Sequence, residues 1–468
     1  MNFDAIKQVY FLGIGGIGMS AIARYFNHLN IPVRGYDKTE TPLTQALVGE
    51  GIQIHYSDLG SELANWGLNP HETLVILTPA IPKEHEELNW FKQNEFHILK
   101  RSQVLGLITS EYKTAGVAGT HGKTTTSTLL AHLLKQSSID CAAFLGGIST
   151  NYNTNLLLSE NTEQVKSNTA MVVEADEFDR SFLTLHPAVG IITSTDADHL
   201  DIYGVHDALK QSFADYAAQV KEVLFVKKEL ELCDELKQQQ HSTRKVYSYS
   251  IQQQADVFAD NILIKGDTYY FDLHYHGTTI SNIELGIPGL HNVENAVAAS
   301  AVALYYGMSE TELKNGLQSF SGVKRRFEYI IKNNNLVYID DYAHHPTELT
   351  AIIGSVKKMY EGKKLLAIFQ PHLFSRTRDF MDGFAESLSI PDEVILLDIY
   401  PARELPIPGI TSQVVFDKIT NPSKTLCTKQ DVLEILKTKS FDVLLTVGAG
   451  DIDTLVQPIK QYLLNQND

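Results

Sequence analysis

The chain has 468 residues, and its 56 acidic and 39 basic side chains give a net charge of −17 at pH 7. This length suggests roughly two to four domains, and a hydrophobic content of 43% is enough to build their cores. The acidic balance argues against general binding of nucleic acid or of an anionic membrane, although local basic residues can still hold an anionic small substrate. Three distant cysteines predict neither a disulfide framework nor a metal cluster.

No segment of the sequence indicates export or membrane insertion. The N-terminus lacks a basic leader followed by a long apolar run and a cleavage site. No stretch of about eighteen apolar residues occurs. We therefore expect a soluble, cytoplasmic protein without a membrane or nucleic-acid partner.

A glycine turn follows the first predicted strand. Residues 8–13 form a buried apolar strand, and Gly13, Gly15 and Gly18 then fit the spacing G-x-G-x-x-G at the start of a helix. A second predicted strand ends at Asp37, where dinucleotide-binding folds place an acid that binds ribose. We favour a nucleotide-diphosphate group at this turn. Binding of NAD or FAD by an oxidoreductase stays open as the alternative.

A later strand leads to the loop TPAIP, residues 78–82. Ligands of open α/β sheets collect at such carboxyl ends of strands. A substrate-binding loop and a simple packing turn are equally good interpretations of this segment.

The turn GTHGKTTT, residues 119–126, is the strongest signal in the chain. It lies between a β-prone segment and an amphipathic helix predicted over residues 127–136. Free backbone N–H groups and the positive end of the helix dipole attract phosphate at such a turn. Lys123 can reach the terminal phosphates of a nucleotide, and the hydroxyl of Thr124 suits Mg2+. The turn therefore predicts an ATP site, although Val117 stands where the standard P-loop carries glycine.

Polar residues follow the next two predicted strands. One strand ends at Glu174, and the other runs into a segment that contains His199. Strand ends converge beside a phosphate loop in a parallel sheet, and oxygen ligands together with substrate phosphates suit Mg2+. Glu174 and His199 are therefore candidates for the metal site, with a purely structural role left open for His199.

The segment from residue 245 to residue 289 alternates apolar and polar residues and predicts appended antiparallel strands. The next helix carries Asn292, which suits an N-cap, and Asn295 on its first turn. Beyond residue 335, polar loops again follow strands. Six side chains of these loops are candidates to face one cleft: Asp341, His344, His345, His372, Arg376 and Arg378.

Eight blocks, taken in order, resemble the Mur ligases, ATP-dependent enzymes that form amide bonds in bacterial cell-wall precursor synthesis. They span nearly the whole chain: GIGGIGMS, GTHGKTTT, EADEFDRSF, DADHLDIYG, HNVENA, KRRFE, DDYAHHPTE and QPHLFSRTRD. GTHGKTT is the form of the phosphate loop in this family, which accounts for Val117. The resemblance implies ATP and Mg2+ as cofactors and an acyl-phosphate intermediate.

The resemblance and the predicted elements together give an α/β fold of three domains. A Rossmann-like domain over residues 1–110 would bind the UDP part of the substrate. A P-loop ATPase-like domain over residues 111–322, with the appended antiparallel strands, would bind ATP. A second Rossmann-like domain over residues 323–468 would bind the amino acid and part of the nucleotide.

The resemblance also implies a role for individual residues. The UDP substrate would contact Gly13, Gly15, Gly16, Gly18, Met19, Ser20, Asp37, Thr78, Pro79 and Ala80. ATP would contact Gly119, Thr120, His121, Gly122, Lys123, Thr124, Thr125, Asn292, Asn295, Arg326 and Asp341. The metal would be held by Thr124, Glu174 and His199. The amino acid would be bound by Tyr342, His344, His372 and Arg376. Catalysis would rest on Lys123, Glu174, His199 and His344, and either histidine could act as the base.

Among members of the family, the blocks are most similar to those of enzymes that add L-alanine to UDP-N-acetylmuramate, and we expect a monomer or weak homodimer. Murein-tripeptide ligases normally carry extra residues after the EADEFDRSF block, whereas here Ser181 runs straight on towards Pro187. They and other Mur ligases remain the alternative within the family. Leu373 stands where members often have arginine, which puts the contact to the amino-acid carboxylate in doubt.

Overall fold

The computed structural model describes residues 6–159, 168–196, 203, 205–238, 244–266, 268–402 and 404–465. These residues form two compact units, Met1–Ser321 and Gly322–Asp468. The first unit contains two sheets and the second contains one. Among the described residues, no helix is both long enough and apolar enough to cross a membrane.

The first sheet has five parallel strands in the order β3-β2-β1-β4-β5. Its strands are β1 Gln8–Leu12, β2 Val33–Tyr36, β3 Gln53–His55, β4 Thr73–Leu77 and β5 His97–Lys100. Its helices are α1 Ile17–His28, α2 Pro42–Gly49, α3 Glu86–Gln93 and α4 Arg101–Thr109. The chain order reverses between β1 and β4, so this is the edge where such sheets bind ligands.

The second sheet has ten strands in the order β15-β14-β13-β12-β11-β10-β6-β9-β7-β8. Its strands are β6 Lys113–Ala118, β7 Cys141–Ser149, β8 Thr154–Leu157, β9 Ala170–Ala175, β10 Val189–Ile192, β11 Val223–Lys227, β12 Lys245–Ser250, β13 Val257–Lys265, β14 Thr268–Tyr275 and β15 Thr278–Leu285. Its helices are α5 Lys123–Lys135, α6 His206–Gln219, α7 Glu231–Gln238, α8 Leu290–Tyr305 and α9 Glu310–Ser319. The strands β6, β9 and β10 are parallel neighbours at the centre, so their carboxyl ends share one edge.

The two sheets of the first unit share a hydrophobic core. Phe26 and Ile108 from the first sheet's layer belong to the same buried cluster as Phe144, Phe182 and Phe213 from the second. Burial of apolar surface contributes about 25 cal/mol per Å², so this shared cluster holds the two layers together.

The second unit carries a six-stranded sheet in the order β16-β17-β21-β18-β19-β20, in which only β16 is antiparallel. Its strands are β16 Glu328–Lys332, β17 Val337–Asp341, β18 Leu365–Phe369, β19 Glu393–Leu397, β20 Lys424–Cys427 and β21 Val443–Val447. Its helices are α10 Pro346–Met359, α11 Phe374–Leu388, α12 Ser412–Lys418, α13 Val432–Leu436 and α14 Val456–Asn465. Buried apolar clusters cover both faces of this sheet.

The predicted α/β fold class with three sheet-bearing regions is confirmed. The appended strands are partly different from the prediction, because β12 and β13 continue the parallel sheet and antiparallel pairing occurs only between β13 and β14 and between β14 and β15 in this segment. The helix after the phosphate loop begins at Lys123, four residues earlier than its apolar spacing indicates. The division into three domains at residues 110 and 322 stays a prediction.

His132 joins three elements of the first unit, and its protonation should affect stability. Its side chain lies in α5, with Nδ1 3.0 Å from the Tyr152 hydroxyl and Nε2 3.0 Å from the Ser319 hydroxyl. Burial lowers the pKa of His132 to about 4, against a small opposing effect of the Gly316 carbonyl. The folded protein therefore holds this imidazole neutral at pH values where the unfolded chain is protonated.

The sign of the resulting pH dependence follows from this difference. Between about pH 6.5 and pH 4 the unfolded state binds the extra proton, so stability falls as the pH falls. Between about pH 7.5 and pH 5.5, the free energy of unfolding should fall by about 1 kcal/mol less in His132→Gln than in the wild type. Urea unfolding at both pH values measures this difference, with the exposed His71→Gln as the control. An unchanged loss in His132→Gln would contradict the assignment.

Candidate active site

The phosphate loop begins where β6 ends and leads into α5. Gly119 and Gly122 adopt φ angles of +140° and +81°, which side-chain-bearing residues rarely do. A Cβ atom on Gly119 would lie 2.0 Å from the Thr193 hydroxyl, so the loop can follow this path only with glycine. Gly122 caps the helix, and the free N–H groups of its first turn are therefore available to an anion.

Lys123 is the cation of this loop. Its ammonium donates to the Gly119 carbonyl at 2.6 Å and to the Glu177 carboxylate at 2.9 Å. Burial lowers the pKa of Lys123, but the carboxylates of Glu177, Glu174 and Asp176 outweigh that effect and leave the pKa raised. The side chain is therefore a fixed positive charge at the start of α5.

Two hydroxyl side chains directly after β10 form hydrogen bonds with the phosphate loop. The hydroxyls of Thr120 and Ser194 lie 2.9 Å apart, and the His121 amide donates to the Ser194 hydroxyl at 2.7 Å. The Thr193 hydroxyl donates to the His121 carbonyl at 2.5 Å. The imidazole of His121 is itself exposed and lies 3.7 Å from the Asp196 carboxylate. These bonds fix the loop's backbone and leave its N–H groups at the helix start unobstructed.

Asn295 of α8 contacts the phosphate loop, and Asn292 of the same helix holds it in place. The Asn295 amide oxygen accepts from the Thr126 hydroxyl at 3.1 Å, and a Cβ atom on Gly122 would lie 2.8 Å from it. Asn295 in turn donates to Asn292 at 3.2 Å, and Asn292 donates to the Pro288 carbonyl at 2.6 Å. The predicted N-cap is wrong, since Gly289 caps α8 and Asn292 lies inside its first turn.

Glu174 lies near the end of β9, against Gly146 of the neighbouring strand β7. A Cβ atom on Gly146 would lie 2.0 Å from a Glu174 carboxylate oxygen, so the glycine makes the space that this carboxylate fills. Hard oxygen donors such as this carboxylate and the Thr124 hydroxyl are of the kind that fits Mg2+. The third predicted ligand, His199, lies outside the described residues.

A cavity of about 320 Å³ joins the two sheets of the first unit. Gly16, Gly18 and Met19 of the glycine turn line one side, with Thr78 after β4. The wall also includes Glu174 near the end of β9, Asp176 directly after it, and Phe144, Leu145 and Gly146 of β7. The cavity thus connects an anion-binding helix start to the carboxylate beside Lys123.

The glycine turn is built as its spacing predicts. A Cβ atom on Gly13 would lie 2.4 Å from the Thr78 methyl group, and Gly16 caps α1. Asp37 accepts a hydrogen bond from the Gly15 amide at 2.6 Å, so in this structure it ties β2 to the turn. Pro79 and Ala80 are exposed beyond Thr78 and do not line the cavity.

Arg101 lies beside the glycine turn and lines the same cavity. A Cβ atom on Gly18 would lie 2.6 Å from the Arg101 guanidinium, which also lies 3.7 Å from the Asp176 carboxylate. A guanidinium placed at a helix start is suited to a diphosphate, because it adds a fixed charge to the free N–H groups.

In the second unit, Asp341 ends β17 and accepts hydrogen bonds from two backbone amides. One carboxylate oxygen accepts from the Phe327 amide at 2.7 Å and the other from the Ala343 amide at 2.8 Å. Burial raises the pKa of Asp341, and the nearby Arg326 opposes that rise. The Arg326 guanidinium lies 5.4 Å from the centre of the Tyr342 ring. The predicted residues Arg326, Asp341 and Tyr342 are thus close neighbours.

His344 and Arg376 lie on the same side of this sheet. The His344 Nδ1 atom donates to the Tyr342 carbonyl at 3.0 Å, which leaves Nε2 as the basic nitrogen. Burial lowers the pKa of His344, and the charge of Arg376 lowers it further, while Glu348 acts in the opposite direction. The His344 ring lies 6.2 Å from the His372 ring, so the two predicted loops meet.

Arg376 has no hydrogen-bond or ion-pair partner among the residues that the structure describes, whereas Arg378 pairs with Asp379. His345, by contrast, caps α10 and has a structural role. Leu373 caps α11 with a φ of +72°. The Arg376 guanidinium is therefore available to bind an anion.

Glu177 is a site residue that sequence reasoning missed. Its carboxylate is fully buried and lies 2.7 Å from the Lys123 ammonium. Tyr203 donates to its backbone carbonyl at 2.5 Å. Its position inside the acidic run EADEFD was visible in the sequence, but which acid faces the phosphate loop depends on the turn after β9.

Three family models match the chain in succession. Residues 8–113 match the model described as "Mur ligase family, catalytic domain". Residues 117–303 match "Mur ligase middle domain", and residues 325–450 match "Mur ligase, glutamate ligase domain".

Several full-length relatives carry the name UDP-N-acetylmuramate–L-alanine ligase. The protein of that name from Porphyromonas gingivalis W83 is 51% identical over 98% of this chain and 99% of its own length. The one from Flavobacterium johnsoniae is 48% identical over the whole of both chains. Among solved structures, UDP-N-acetylmuramate-alanine ligase from Thermotoga maritima is 26% identical with a TM-score of 0.82, covering 98% of this chain and 99% of that one.

A murein peptide ligase from Psychrobacter arcticus shares the fold, with a TM-score of 0.72 at 24% identity over 98% of both chains. The site geometry, the three successive family models and relatives of about half-identical sequence all lead to one assignment. This chain belongs to the Mur ligase family.

Proposed function

We propose that the chain joins L-alanine to the carboxylate of UDP-N-acetylmuramate, using ATP and releasing ADP and phosphate, in cytoplasmic synthesis of peptidoglycan precursors. The cavity between Gly18 and Glu174 carries the proposal, because its lining includes the glycine turn, where a diphosphate can bind, and Glu174, whose charge raises the pKa of Lys123 in the phosphate loop. The names of the full-length relatives support the choice of donor and acceptor.

A carboxylate does not react with an amine at neutral pH, so it has to be activated. Transfer of the γ-phosphoryl group of ATP to a carboxylate oxygen gives an acyl phosphate and ADP. The amino group of alanine then attacks the acyl carbon, and the tetrahedral intermediate collapses with loss of phosphate. Each step balances with ATP as the phosphoryl donor.

Lys123 stabilises the charge that develops on the transferring phosphoryl group. Its ammonium is already positioned by the Gly119 carbonyl and by Glu177, so little reorganisation is needed during the reaction. Glu174 and Thr124 would hold Mg2+, which when bound offsets the phosphate charge and orients the oxygens.

The second unit supplies the groups that suit the amino acid. Alanine must lose a proton from its ammonium group before it attacks, and neutral His344 has a free basic Nε2 for that proton. The guanidinium of Arg376 can bind the alanine carboxylate through two parallel hydrogen bonds. His199, the other candidate base, stays a prediction.

Phosphate release tests the proposal. The protein with ATP, Mg2+ and UDP-N-acetylmuramate should release phosphate with L-alanine and give the UDP-N-acetylmuramoyl-alanine product by mass. The tripeptide L-Ala-γ-D-Glu-meso-diaminopimelate, NAD and no acceptor serve as the other arms. Turnover with the tripeptide but not with alanine would identify a murein-tripeptide ligase instead. Reduction of NAD without phosphate release would favour an oxidoreductase.

A further inference from the structure

A buried asparagine connects the second sheet to the helix of the glycine turn. Asn155 lies on β8, and its side-chain amide donates to the Ile17 carbonyl at 2.6 Å and to the Ser20 hydroxyl at 2.9 Å. Its amide oxygen accepts from the Arg24 guanidinium at 2.5 Å. Arg24 is in turn held by Glu50, whose carboxylate lies 2.6 Å from the guanidinium.

These bonds reach both of the first two turns of α1, the helix whose start forms the anion site. Asn155 is fully buried, and both of its amide hydrogens and its oxygen are used. A buried polar group is costly unless it is satisfied, so this arrangement is stable only in one position of α1 against β8. An apolar contact alone would tolerate sliding, because apolar attraction has no direction.

The hydrogen bonds of Asn155 therefore fix the distance between the glycine turn and the Glu174 carboxylate across the cavity. Strand β8 pairs with β7, and β7 carries Phe144 and Gly146 of the cavity wall and contacts Glu174. Tyr25 of α1 packs on Phe144 with ring centres 5.7 Å apart. The glycine turn is thus connected to the Glu174 carboxylate through Asn155, β8 and β7.

We infer that Asn155 is a positioning residue for the reaction, an inference that rests on the proposed function. It lines no part of the cavity and touches no reacting group. It holds the glycine turn so that a substrate bound there by its diphosphate presents its carboxylate beside Glu174 and Lys123. Catalysis depends steeply on such placement, since misplacement by about 1 Å can cost roughly a hundredfold in rate.

Steady-state kinetics of Asn155→Ala test this role. We expect kcat/KM for UDP-N-acetylmuramate, per mole of folded enzyme, to fall roughly tenfold. The KM for ATP should stay within about twofold, because no bond of Asn155 reaches the phosphate loop. A fall in thermal stability alone, with normal kinetics of the folded fraction, would overturn the inference. So would an equal rise of both Michaelis constants.

Two further variants complete the experiment. Asn155→Asp keeps the bond to Arg24 but loses both donors to α1, so it should show the same kinetic defect if Asn155→Ala does not fold. Asn421→Ala removes a comparably buried asparagine of the second unit, which donates to the Pro391 carbonyl, and should lower stability without the kinetic change. Failure of the wild type to ligate alanine would refute the proposed function, whereas normal Asn155 variants would refute only this inference.

Discussion

Lys123→Ala should lower the turnover of ATP-dependent ligation by roughly a hundredfold or more. The ammonium of Lys123 is the cation that the phosphate loop presents, and Gly119 and Glu177 hold it in place. One positioned charge on a transferring phosphoryl group stabilises the transition state by several kcal/mol. Phosphate release by the purified, folded variant at saturating substrates measures the effect.

Loss of stability has to be separated from loss of catalysis in this variant. Removing Lys123 breaks a buried ion pair with Glu177, which typically costs about 3–5 kcal/mol. The double variant Lys123→Ala with Glu177→Gln removes that charge, so it should recover stability and remain inactive. Lys237→Ala, which breaks the pair with Asp256, is the matched control and should turn over normally. Near-normal turnover of folded Lys123→Ala would contradict the assignment of the loop.

Arg376→Ala should raise the Michaelis constant for L-alanine about tenfold to a hundredfold. The guanidinium is uncommitted among the described residues and lies close enough to His344 to lower the pKa of that imidazole. A charge-assisted hydrogen bond to a carboxylate contributes about 1.5–3 kcal/mol. With Leu373 in place of a second arginine, we propose Arg376 as the residue that binds the alanine carboxylate.

The control for this variant lies two residues further along the same helix. Arg378 is exposed and pairs with Asp379, so Arg378→Ala should leave the alanine constant unchanged. The constant for ATP should not change in either variant, because neither arginine is among the residues predicted to contact ATP. An alanine constant that Arg376→Ala and Arg378→Ala shift equally would show that the carboxylate is bound elsewhere.

The sequence predicted those parts of the site that local chemistry dictates. Gly13, Gly119 and Gly122 adopt backbone angles or close contacts that demand glycine, so their spacing is a reliable signal. Apolar periodicity predicts the start of α5 too late, because the polar threonines after Lys123 contribute nothing to it. The N-cap of α8 is also predicted wrongly. Asparagine is a commoner N-cap than glycine, so the sequence favours Asn292 over Gly289.

Partners that are distant along the chain could not be predicted. Glu177 meets Lys123 across 54 positions, and Asn155 meets Ser20 across 135. Each contact depends on which strands are neighbours in the second sheet and on how α1 packs against its edge. Periodicity and motif spacing describe segments one at a time, so they contain no information on such pairs.

The transfer of oxygen from the substrate carboxylate to phosphate tests the proposed reaction most directly. UDP-N-acetylmuramate labelled with 18O in its carboxylate is incubated with the protein, ATP, Mg2+ and L-alanine, and the released phosphate is analysed by mass. Activation as an acyl phosphate predicts one 18O atom in each phosphate, because the carboxylate oxygen leaves with the phosphoryl group. Phosphate without the label, formed while the amide product accumulates, would contradict the mechanism.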